Sequence, residues 1–109
     1  GHAAAQYYVG HMYAKGKGVG KDEAKAVGWY RRSAEAGYAR SQYKLSVAYA
    51  KGAGGLEKNE AEARGWLLKA AEGGSRSAQE ALAKAYKTGR LGFARDKKKA
   101  NYWLKQSKK

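Results

Sequence analysis

Residues 22–37 read DEAKAVGWYRRSAEAG, and the same frame returns at 59–74 as NEAEARGWLLKAAEGG and at 96–109 as DKKKANYWLKQSKK. Asp22, Asn59 and Asp96 stand 37 residues apart, and so do Ala26, Ala63 and Ala100, and Trp29, Trp66 and Trp103. A fixed period of this length marks stacked supersecondary units. Asp and Asn accept well from the free N–H groups that open a helix, so each copy begins a helix there. The apolar stripes that follow have helical spacing: Ala26, Trp29, Tyr30 and Ala34; Ala63, Trp66, Leu67 and Ala71; Ala100, Trp103, Leu104 and Ser107. Gly37 and Gly74 end the first two stripes, and the third runs to the end of the chain.

Upstream of each stripe the repetition continues. Gln6, Gln42 and Gln79, then Tyr13, Tyr49 and Tyr86, then Gly16, Gly52 and Gly89, recur at steps of 36 and 37, the first copy lacking one residue between Gly16 and Gly18. Val9, Gly10 and Tyr13, with Leu45, Ser46 and Tyr49 and with Leu82, Ala83 and Tyr86, give each copy a first helix. The glycine that follows suits a left-handed C-cap, a conformation only glycine takes without steric cost. The small residue at Gly10, Ser46 or Ala83 lets the two helices of a unit approach closely, with the repeated tyrosine filling the core beside them. The expectation is an all-α chain of six helices, roughly 3–15, 22–36, 40–51, 59–73, 77–88 and 96–107. They form one repeat domain, 1–109, of units 1–37, 38–74 and 75–109. One helical pair cannot bury both of its faces, so the units must stack.

Composition agrees only once the period is known. Of 47 apolar residues among 109, 22 are Ala and 9 Tyr, Leu, Val and Phe supply 12, and Ile is absent, a pattern that alone would suggest disorder. The length suits one modest core and rules out a two-domain enzyme. With no cysteine there is no disulfide, thiolate metal site or cysteine nucleophile. No apolar run is long enough to span a membrane and no signal peptide opens the sequence. Gly1 and His2, with no Met before them, read as the scar of a removed tag.

The pattern A-Q-x-x-[LV]-[small]-x-x-Y-x-x-G, a glycine-rich turn, then [DN]-x-x-x-A-x-x-W and A-E-x-G, resembles the Sel1-like repeat, a relative of the tetratricopeptide repeat. It is carried here by Ala5-Gln6, Val9-Gly10, Tyr13, Gly16, Gly18-Val19, Asp22, Lys25-Ala26, Trp29-Tyr30, Ala34-Glu35 and Gly37. The second copy has Ser46 for the glycine. The third departs further, with Ala83, the turn Leu91-Gly92-Phe93 and Gln106-Ser107, as a capping repeat would. The resemblance implies an α/α solenoid with a right-handed superhelix, acting as an adaptor or scaffold. Such proteins are commonly bacterial and secreted, periplasmic or signalling, and one belongs to an endoplasmic-reticulum degradation complex. A concave groove follows from the resemblance, carrying Tyr7, His11 and Lys15 from the first unit, Arg40, Tyr43, Val47 and Lys51 from the second, and Glu80, Lys84 and Lys87 from the third.

Catalytic readings fail on the residues. Residues 16–21, GKGVGK, look like a phosphate loop, but Gly20-Lys21 is followed by Asp22 rather than Ser or Thr, and the same glycine turn recurs in every unit. With only His2 and His11 available, no metal-ligand cluster forms, no nucleophile, base and orienting group assemble, and no cofactor is implied. The tryptophans, on the periodic stripe, are packing residues rather than a stacking platform.

Formal charge is +14, distributed as +3, +2 and +9 over the three units. Such a field steers acidic partners, so the expected ligand is an acidic protein segment, anchored by Tyr7 and Tyr43. The alternative is nucleic acid or another polyanion, an anionic lipid surface included, bound through Lys97, Lys98, Lys99 and Lys105, although no known nucleic-acid-reading module accompanies them. The first unit's outer face, with Ala3, Ala4 and Ala5, needs cover, either from further repeats upstream or from another copy stacked end to end.

Overall fold

A computed structural model describes residues 2–109; Gly1, read as part of the scar, lies outside the described residues. The helices are α1 (His2–Lys15), α2 (Glu23–Glu35), α3 (Ala39–Lys51), α4 (Glu60–Glu72), α5 (Arg76–Thr88) and α6 (Lys97–Ser107). A single 3-10 turn, Arg90–Gly92, lies between α5 and α6, and there is no strand among the described residues. Each helix begins and ends within one residue of its expected position. The three antiparallel pairs stack in sequence order, α2 on α3 and α4 on α5, in a body of 43 × 29 × 20 Å.

One residue organises each turn twice over. The side chains of Asp22, Asn59 and Asp96 accept from the backbone N–H groups of Lys25, Glu62 and Lys99 at 3.0, 3.0 and 3.1 Å, capping the helix ahead. Their own backbone N–H groups donate to the carbonyls of Tyr13, Tyr49 and Tyr86 at 3.0, 2.9 and 2.9 Å, closing the helix behind. Between these fixed points the turns differ: unit one is a residue shorter, unit two turns at Gly54 and Gly55, and unit three makes the 3-10 turn. A Cβ added at Gly54, φ 63°, would clash with the Val27 side chain and stand 2.9 Å from the Glu23 carbonyl oxygen, so the turn of unit two seats on α2 only because it lacks a side chain there.

The core is a row of small residues with single large ones between them. Leu45 and Leu82 are fully buried; Val27, Ala34 and Ala48 surround the first, and Leu67, Ala70, Ala71 and Ala78 the second. Junctions between units also carry hydrogen bonds. Ser41 Oγ donates to Ser33 Oγ at 2.6 Å, and Gln42 and Gln79 donate through Nε2 to the carbonyls of Ala34 and Ala71 at 3.2 and 3.1 Å.

Tyr49 and Tyr86 pack half-buried against the two core clusters as expected, while Tyr13 is half-buried outside them, and each ring also lies under a cation: Lys25 over Tyr13 at 5.5 Å, Arg31 over Tyr49 at 5.6 Å and Lys99 over Tyr86 at 5.4 Å. Two further expectations change. Leu104, on the expected stripe, is 44% exposed: its counterpart Leu67 packs against Ala78 and Leu82 of the following unit, and α6 has no unit over it among the described residues. Ser107 stands in the column of Ser33 and Ala70, which leaves Lys108 opposite Ala34 and Ala71. The tryptophans do pack: Trp66 and Trp103 lie against the two core clusters, and Trp29 is half-buried beneath Arg32.

Candidate groove between α3 and α5

The first helices of units two and three run side by side and leave an open groove of about 1000 Å³ between them. Its floor is apolar: Tyr43, Val47 and Ala50 on α3, Ala81 on α5, Leu67 from α4 beneath, and Leu91 at one end. Helical periodicity places Tyr43, Val47 and Lys51 on one line, and Ser77, Glu80 and Lys84 on the facing line. The rim is charged, with Lys51, Lys58, Lys84 and Arg90 against Glu60 and Glu80.

Of the groove residues expected from the sequence, Tyr43, Val47, Lys51, Glu80 and Lys84 line this space. Arg40 instead borders a second, shallower depression at the inter-unit loops, with Tyr38, Arg76 and Ser77. Tyr7, His11, Lys15 and Lys87 line neither. Tyr7 packs within unit one and onto the start of unit two, its ring 5.7 Å from that of Tyr30 and 5.5 Å from that of Tyr38. Burial pushes the Tyr7 hydroxyl above its ordinary range, the Arg40 guanidinium pulling the other way. His11 stacks on Tyr7 at 6.3 Å, and its Nδ1 is buried without a hydrogen-bond partner. Lys15 and Lys87 are exposed at the ends of α1 and α5.

Lys58, Glu60, Arg90 and Leu91 were not foreseen. Glu60 opens α4, and the others come from the turns, which curve back over the groove in units two and three, where the turn is one residue longer than in unit one. Leu91 has φ 57°, the one non-glycine residue with positive φ among the described residues. It is held there by its side chain against the Leu82 cluster and by Arg64, whose Nη1 donates to the Leu91 carbonyl at 2.7 Å. Strain at a non-glycine left-handed position costs about 1–2 kcal/mol, so the wall of the groove is fixed by tertiary contacts rather than by local preference.

Lys97, Lys98, Lys99 and Lys105 are all exposed on α6 and border neither concavity. Successive residues point 100° apart on a helix, so the first three spread round it instead of forming one surface. They also crowd the positive end of the helix dipole, where α2 and α4 carry Glu23, Glu60 and Glu62. Among the described residues no group of three or more His, Cys, Asp or Glu could hold a metal ion, and no helix is long and apolar enough to cross a membrane.

The family model described as Sel1 repeat matches residues 3–38, 39–75 and 76–109. Two solved structures are similar over nearly the whole chain. A Sel1 repeat protein from Oxalobacter formigenes is 33% identical with a TM-score of 0.94, covering 100% of this chain and 43% of its own. A protective antigen present in uropathogenic Escherichia coli strains, described as displaying an SLR fold, is 36% identical with a TM-score of 0.87, covering 97% of this chain and 22% of its own. The chain therefore spans less than half of either structure. No curated protein matches the sequence at a significant level.

Proposed function

Because the chain belongs to the Sel1 repeat family, whose members are generally protein–protein interaction modules, we propose that it is a non-catalytic adaptor holding an acidic segment of a partner protein between α3 and α5. The observation that carries this reading is the groove itself, an apolar floor of Tyr43, Val47, Leu67 and Leu91 within a rim of Lys51, Lys58, Lys84 and Arg90. Apolar anchors supply affinity where water is excluded, and rim cations steer an anionic partner and fix its register. Glu60 and Glu80 interrupt that rim. They repel a uniformly anionic polymer and suit a segment whose acids alternate with apolar residues. The polyanion reading through Lys97, Lys98, Lys99 and Lys105 has no comparable concavity behind it and is not favoured.

Capture from nuclease-treated native lysate tests the proposal, using the parent chain and the double variant Tyr43→Ala with Lys84→Glu. Lys84 is exposed and Tyr43 is half-buried against the Leu82 cluster, so circular dichroism and urea unfolding check that the variant keeps the fold. The parent should retain a defined protein that the variant loses, and retention should weaken as salt rises. Equal retention by both chains would refute the groove as the site.

A further inference from the structure

The α3 wall of the groove belongs to a longer line of side chains. Arg40, Tyr43, Val47 and Lys51 stand at i, i+3, i+7 and i+11, so they share one face of α3, with a cation at each end and an aromatic and an aliphatic side chain between. On α5, Arg76, Glu80 and Lys84 follow at steps of four, all exposed, again with a cation at each end. Arg40 and Arg76 border the depression at the inter-unit loops. Ser77 borders both that depression and the groove, so the two hollows meet there.

Charge is distributed along these hollows by position. The turn end holds Lys51, Lys58, Lys84 and Arg90 against the single carboxylate of Glu60, the loop end holds Arg40 and Arg76 with no acidic residue lining it, and the stretch between them carries Glu80 alone. Arg40 and Lys51 are eleven residues apart on α3, about 16 Å at the helical rise, and Arg76 and Lys84 are eight apart on α5, about 12 Å. Extended chain covers about 13 Å in four residues, and its side chains alternate, so residues i, i+2 and i+4 all face one way. A helical segment would satisfy its own N–H groups and meet Ser77 and Glu80 through side chains alone. An extended one leaves backbone N–H groups that both can accept from.

We infer that the groove and the loop-end depression form one binding track, which takes an extended protein segment with acidic residues at i and i+4 and an apolar residue at i+2. This rests on the groove being the partner site. One carboxylate pairs with Arg40 and Arg76, whose guanidinium groups offer forked pairs of N–H donors, and the other with Lys51, Lys84 and Arg90. The apolar residue between them lies on Tyr43 and Val47, and Glu80 repels an acid placed midway.

Panning a phage-displayed library of random dodecapeptides against the chain tests this, followed by anisotropy titration of a labelled synthetic peptide of the selected sequence. The selected peptides should share the acid, apolar, acid spacing. The double variant Arg40→Glu with Arg76→Glu changes two exposed side chains, and circular dichroism checks its fold. It should bind the peptide about tenfold or more weakly and, when panned itself, should select for one acid instead of two. Tyr43→Ala with Lys84→Glu should lose the peptide as well. If only this second variant loses it, the extended track is overturned while the groove remains the site. If neither does, the groove reading falls too. Peptides with a run of adjacent acids, peptides with acids eight or more apart as a helix would carry them, or no selection at all would each overturn the inference.

Discussion

A Cβ added at Gly10 would stand 2.9 Å from both Cδ1 and Cε1 of Tyr30 and 3.2 Å from the Ala26 carbonyl oxygen. Tyr30 is only 5% exposed and has the Tyr7 ring at 5.7 Å, so it has little room to withdraw. Gly10→Ala therefore sets two effects against each other. Alanine gains about 0.8–1.0 kcal/mol over glycine in a helix interior, while overpacking costs about 1–3 kcal/mol. The net expectation is a loss of up to about 2 kcal/mol, and the coupling between the two positions is more telling. At the same columns unit two pairs Ser46 with Leu67 and unit three pairs Ala83 with Leu104, so a Cβ is accommodated where the partner is Leu. In a Tyr30→Leu background Gly10→Ala should thus stabilise by about 0.8–1.0 kcal/mol, the helix-propensity gain alone. The double-mutant cycle should then give a coupling of about 1–3 kcal/mol. Urea unfolding, followed by far-ultraviolet circular dichroism and by tryptophan fluorescence, measures all four chains. If Gly10→Ala raises the midpoint equally in both backgrounds, close packing of Gly10 on Tyr30 is not what selects glycine there.

Burial, with Tyr7 adding to it, pushes the Tyr30 hydroxyl up to about 12. Unfolded tyrosine titrates near pH 10, so the folded chain holds this proton more tightly. The stability it contributes is complete below pH 10 and is lost as the pH rises towards 12, on the order of 2 kcal/mol in all. Tyr30→Phe should flatten that part of the stability profile in alkaline urea titrations, and an unchanged slope would contradict the assignment. Arg64→Ala removes the 2.7 Å bond to the Leu91 carbonyl. It should cost about 1–2 kcal/mol and speed amide exchange at residues 90–93 more than at α1, and uniform acceleration along the chain would refute a local role.

What could be read in advance was whatever the period repeats. Asp22, Asn59 and Asp96 announce their helices because capping is local chemistry. The glycines at 16, 52 and 89 mark helix ends for the same reason, each having φ between 70° and 77°. Which helix faces would be covered was less accessible. Tyr13, Tyr49 and Tyr86 repeat as faithfully as the core alanines, yet a ring can be shielded by a lysine or arginine stem as well as by a neighbouring helix. Likewise Leu104 occupies a core column whose burial depends on a following unit. In the groove, the residues projected from first-helix spacing were visible for α3 and α5. Lys58, Arg90 and Leu91 were not, since their placement depends on how a turn folds back and, for Leu91, on a conformation that Arg64 imposes from 27 positions away.

The double use of Asp22, Asn59 and Asp96 separates the spacing of the helices from the length of the turn between them. Each of these residues pins the end of one helix and the start of the next, so turns of different length and shape serve the same scaffold. The segment at 17–21, where Gly18 and Gly20 face open space, is therefore a natural port for added sequence, whereas Leu56, Leu91 and Phe93 tie the other two turns to the core. A recognition peptide or reporter loop grafted there would leave the register of the six helices to the same three residues that set it now.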